Sequence, residues 1–238
     1  MDDITTNRRQ LFGAAALVAG AGLVGAGPAR AGGAGSGGGF GGSGWTASPE
    51  TVDAWMDKPG TRHRMVFDGP SAKGGWGSVG YATNYYYAND KGYGLKPEQL
   101  GVIIVFRHES TVFGYDDTIW KKYGAKFAAN LKMKGDDLKH ANAGRNPMLV
   151  VPKGPVEKGE EAFAGAPLVR LAGQGARFAV CGLATEGIAH MLAGKTGDWK
   201  KIEADLKAHV VPGAVVVPAG ITAVNRAQEH GYSFAYMG

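Results

Sequence analysis

A single cysteine, Cys181, in 238 residues excludes an intramolecular disulfide. Its thiol stays free, pairs with another molecule or carries a modification. Histidine is sparse too. His63, His108, His140, His190, His209 and His230 are scattered, and none stands at ligand spacing from Cys181, so the pattern offers no metal site. Charge of one sign is also missing. The net charge is +5, from 26 Lys and Arg against 21 Asp and Glu mixed along the chain. With no dense basic stripe and no RNA-binding signature, nucleic acid is not an expected partner. No glycine fingerprint for a dinucleotide is present, so no cofactor is expected. No internal repeat is visible.

The N-terminus carries the first positive signal. Asn7-Arg8-Arg9-Gln10-Leu11-Phe12 opens onto Leu11 to Gly27, an uncharged run rich in Ala and Gly. At that length and composition it is at the short end for crossing a bilayer. Ala29-Arg30-Ala31 then matches an A-x-A cleavage pattern. A charged region, an apolar region and a small-residue site together predict a signal peptide over 1–31. The paired arginines point to the twin-arginine route. The twin-arginine export machinery is therefore an expected partner, and the expected location is periplasmic. Residues 32–48 are dominated by Gly and Ser and read as a flexible linker. Residues 49–238 are long enough for one domain with a sizeable core.

Within that domain, strand-like and helix-like segments alternate. His63–Gly69 reads as a first strand, followed by a loop through Pro70 to Gly75. Gly74-Gly75-Trp76-Gly77 reads as a turn, or as backbone able to cradle an anion. Ser78–Asn89 is a predicted helix, with Tyr81 and Tyr85 on one side. Val102–Phe106 is a β-branched run suited to a strand buried on both faces. A helix over Asp116–Tyr123 follows, with Trp120 inward. Residues 121–161 are rich in Lys, Gly and Asn and read as an insertion of loops and short elements. Pro167–Gly173 either ends a helix or approaches the next strand. Arg177–Val180, Ala214–Val217 and Tyr232–Tyr236 are further strands. Ala184–Leu192, Trp199–His209 and Ile221–Glu229 are helices. This alternation predicts an α/β fold, a mostly parallel sheet with helices on both faces.

Cys181 would then lie at a strand's carboxyl end, just before a helix. Helix N-termini favour a thiolate, and sites in open α/β sheets gather at that edge. The competing reading is a small buried hydrophobe. His108, after the second predicted strand, could act on the thiol as acid or base, or could be a hydrogen-bonded histidine at the sheet edge. Its neighbour Arg107 could bind an anionic donor or form a surface salt bridge. Tyr85, Tyr86, Tyr87 and Tyr93 suit an interface as well as a core.

Phe178-Ala179-Val180-Cys181-Gly182, Val215-Val216-Val217-Pro218-Ala219-Gly220-Ile221 and Gln228-Glu229-His230-Gly231-Tyr232 together resemble the DsrE/DsrF-like family of sulfur-relay proteins. Val102 to His108 resembles that family's second strand. The likeness covers about Arg62 to Met237, with 121–161 departing from it. It implies a flavodoxin-like α/β domain that forms a homo-oligomer. It also implies that Cys181 accepts sulfane sulfur as a persulfide and passes it on, with a sulfur donor or acceptor protein or small sulfur species as partner. The alternative class is a non-catalytic oligomeric binding or assembly module of the periplasm. An accessible Cys181 would favour the relay, and a buried one suits the module.

Overall fold

Five apolar segments separated by helices form one parallel sheet. The computed structural model describes residues 50–154, 156 and 161–238. The signal peptide expected at 1–31 and the linker expected at 32–48 lie outside the described residues. The strands are β1 His63–Gly69, β2 Leu100–Phe106, β3 Arg177–Cys181, β4 Ala214–Val217 and β5 Ser233–Tyr236. Their order is β4-β3-β2-β1-β5, and every neighbouring pair is parallel. The register aligns Phe67 with Ile104 and with Ala235, and Val105 with Ala179. β2, all seven residues of it buried, sits at the centre. A run such as Val102-Ile103-Ile104-Val105 cannot keep one face wet, so it takes the position covered on both sides.

The connecting helices are α1 Ala72–Tyr93, α2 Asp117–Asn130, α3 Gly135–Asn142, α4 Pro167–Gly173, α5 Gly182–Ala193, α6 Trp199–Ala208 and α7 Gly220–Glu229. Most pack on one face. Val79, Tyr86, Trp120, Phe127, Leu171, Leu192 and Leu206 share a core with Phe67, Ile104, Phe178 and Val180. The other face carries α7, where Ala223, Val224 and Ala227 meet Val66, Val105, Ala179 and Val217. A short 3₁₀ turn at Thr51–Met56 joins them through Met56. Helices thus cover both faces in an α/β, flavodoxin-like arrangement. Among the described residues no helix is long and apolar enough to cross a membrane.

Two helices run well past the bounds read from the sequence. α1 starts at Ala72, not Ser78, so Gly74-Gly75-Trp76-Gly77 is neither a turn nor an anion cradle. Ser71 caps the helix, its Oγ accepting from Gly74 N at 2.8 Å. Glycine is needed at 74 because a Cβ there would collide with the Met237 carbonyl oxygen. On α1 the buried tyrosine is Tyr86, while Tyr81 is exposed. α2 runs on to Asn130, well past Tyr123, and α3 packs against it. Phe127, Ala128, Ala141 and Met148 from the expected insertion are fully buried in the main core. Of the two readings of Pro167–Gly173, the helix is the one observed.

Candidate functional site

The carboxyl edge of the sheet gathers the groups with chemical potential. Parallel strands all end at that edge, so Asp68 of β1, Arg107 just after β2, Cys181 of β3 and Pro218 just after β4 fall side by side. The chain leaves β3 into α5 on one face, and leaves β4 into α7 on the other. Between β3 and β4 the connections therefore diverge, the kind of edge position at which α/β folds place ligands.

Cys181 is the N-cap of α5, and its Sγ accepts a weak hydrogen bond from Ala184 N at 3.4 Å. The expected strand end and helix start are both observed. The side chain is buried, at 7% exposure. A polar relay locks the turn behind it. Thr185 Oγ1 donates to the Cys181 carbonyl at 2.8 Å and accepts from the Tyr115 hydroxyl at 2.8 Å. Burial raises the Tyr115 pKa, so the phenol stays a donor.

Arg107 is not a surface ion pair. Its guanidinium donates to both carboxylate oxygens of Asp68, which is 1% exposed. Asp68 holds the Arg107 proton more tightly, and Tyr236 and Cys181 add to that attraction from nearby. Phe106 pairs with Val180 in the sheet, so Arg107 and Cys181 are the residues that follow on neighbouring strands. The N-terminus of α7 closes over Arg107: a Cβ on Gly220 would lie 2.5 Å from the Arg107 Cβ. On the other flank, a Cβ on Gly182 would lie 2.7 Å from the Val217 carbonyl oxygen. Two helix N-termini and one cation therefore crowd the edge around Cys181, and only glycines permit it.

His108 is placed differently from both expectations. It is exposed, its backbone is left-handed at φ 55°, and among the described residues its ring has no hydrogen-bond partner. Among the described residues no hydrogen bond joins it to the thiol. Asp68, Gly182, Gly220 and Tyr115 belong to the edge and escaped sequence reasoning. The signal for Asp68 was available: a carboxylate ending a buried strand needs a cation.

A shallow groove of 450 Å³ runs between α5, α6 and β4, with Leu183, Glu186, Lys207 and Pro218 in its walls. Cys181 does not line it. Among the described residues, no group of three or more His, Cys, Asp or Glu side chains is placed to hold a metal ion. Comparison of the chain with protein-family models, curated proteins and solved structures gives no match.

Proposed function

We propose that this is an exported sulfur carrier that holds sulfane sulfur as a persulfide on Cys181. The observation that carries the reading is the position of Cys181, whose Sγ caps α5 and which follows Val180 just as Arg107 follows its register partner Phe106 on the neighbouring strand. A helix N-terminus and a guanidinium both present positive potential to the sulfur. In the step, the thiolate attacks the outer sulfur of a polysulfide or thiosulfate. One S–S bond forms as another breaks, and the leaving group is a shorter polysulfide or sulfite. At 7% exposure the thiol admits a small sulfur species more readily than a protein loop. Arg107 is the cation proposed to face such an anion, with Asp68 already offsetting part of its charge, and His108 has no part in the step. Export by the twin-arginine machinery to the periplasm and assembly as a homo-oligomer belong to the same proposal.

The second reading is an oligomeric binding or assembly module of the periplasm. Two observations favour it: the burial of Cys181, and the exposure of Phe234 and Tyr236 on β5. Intact mass after exposure to polysulfide or thiosulfate separates the two. A gain of about 32 Da that is lost in Cys181→Ser supports the carrier, because persulfidation is a reversible cap on a reactive thiol. No gain, with Cys181 slow to alkylate, overturns the carrier and leaves the module.

A further inference from the structure

The two edges of the sheet are treated differently. At β4, Ala214 and Val216 pack into one core while Val215 and Val217 pack into the other, and Pro218 ends the strand. At β5, Ser233, Phe234 and Tyr236 are all exposed. Phe234 is 44% and Tyr236 57% exposed. Parallel sheets are normally covered on both faces. Free edges are normally blunted by Lys, Pro, a bulge or an inward charge, and Ser233-Phe234-Ala235-Tyr236 has none of these. Among the described residues no strand lies beside the outer backbone of β5.

Along this edge, on the α1 face, lies a groove of 540 Å³. Arg62, His63, Arg64, Tyr85 and Tyr93 contribute to its walls, and no acidic residue does. Arg64 is spent on internal contacts, donating to Thr61 Oγ1, the His230 carbonyl and the Lys58 carbonyl. Arg62 and His63 are exposed, and among the described residues neither side chain has a hydrogen-bond or ion-pair partner. The groove therefore carries unspent positive charge over an apolar floor that includes Met65 and Tyr85.

We infer that β5 is a docking strand for an extended acidic peptide segment. An added strand would pair with the bare backbone of β5, and its side chains would alternate between the two faces. Carboxylates on one side meet Arg62 and His63 in the groove. Apolar side chains on the other meet Phe234 and Tyr236. The occupant is thus a strand alternating acidic and apolar residues. The surface lies on β5, two strands away from β2 and three from Cys181's β3 region of the order, and it does not rest on the sulfur chemistry.

The test is fluorescence anisotropy with the full chain and a fluorescein-labelled Val-Glu alternating peptide, with the Val-Lys peptide as its counterpart. The Glu peptide binds and weakens as salt is raised, and the Lys peptide does not bind. Arg62→Glu and Phe234→Ser each weaken binding by about tenfold while the circular dichroism spectrum is kept. Equal binding of the two peptides, or binding of neither, overturns the proposal. So does light scattering that shows a dimer split by Phe234→Ser, which gives the edge to a second copy of the chain.

Discussion

Arg107 grips Asp68 through two parallel hydrogen bonds, Nε to Oδ1 at 2.7 Å and Nη2 to Oδ2 at 2.9 Å. The pair ties the carboxyl ends of β1 and β2 together beside Cys181. Its two members are unequal, because Asp68 is buried whereas Arg107 is only partly so. Arg107→Gln strands a buried carboxylate and should cost about 3 kcal/mol in urea denaturation at neutral pH. Asp68→Asn leaves a cation that can turn toward water, so its loss should be smaller. Equal losses would mean that the burial of Asp68 is not what sets the cost.

Cys181 has a structural duty separate from any chemistry. Its sulfur caps α5, and serine is among the best N-cap residues. Cys181→Ser should therefore melt close to the wild type. Cys181→Ala loses the acceptor, about 1 kcal/mol, or about 3 °C in the melting temperature of a chain this size. Should both variants melt alike, the cap contributes nothing to stability.

The Tyr115–Thr185–Cys181 relay gives an ordered pair of outcomes. Tyr115→Phe removes one hydroxyl and leaves Thr185 still donating to the Cys181 carbonyl. The cost is that of a single hydrogen bond, about 1 kcal/mol. Thr185→Val instead orphans the buried Tyr115 hydroxyl and unties the first turn of α5, which should cost about 2–3 kcal/mol. Denaturant midpoints would read the order directly, and the reverse order would break the relay as drawn.

β2, β3 and β4 were legible because each holds a short apolar run that a parallel sheet can cover on both sides, whereas β1 and β5 were legible from their place in the alternation of strands and helices, β5 being largely exposed. The Cys181 strand end and helix start were legible for the same reason as β3, read together with the residues that follow. The Asp68–Arg107 pair was not, since it joins two strands that are neighbours only after folding. α2 was cut short at Tyr123 because Lys121, Lys122 and Lys126 dominate its composition. Those lysines lie on the exposed side, while Trp120, Gly124, Phe127 and Ala128 keep a helical spacing inward. Gly74 and Gly75 hid the first turn of α1, since close approach to Met237 and Ser110, not helix propensity, sets those residues. The buried position of Phe127 predicts that Phe127→Ala costs about 3–5 kcal/mol. A residue in a surface insertion would cost under about 0.5 kcal/mol by the same thermal or urea measurement.

Asp137 on α3 supplies a pH dependence with a definite sign. Its Oδ2 accepts from Trp76 Nε1 at 3.0 Å, which pins α3 to the start of α1. Burial raises the carboxyl pKa above its ordinary value, against the opposing pull of the Trp76 hydrogen bond and His140, with Asp136 adding to the rise. A carboxyl raised on folding favours the folded state while it is protonated. That advantage is full below the unfolded value of 3.8 and is lost as pH rises through the folded value. Asp137→Asn keeps an acceptor for Trp76 but never ionises. The variant should match the wild type in acid and become the more stable of the two as pH climbs to about 7, with the other carboxylates cancelling in the difference. Urea midpoints for both proteins across that range decide it, because a gap that is flat or opens toward acid contradicts a half-buried, reluctant carboxylate at this joint.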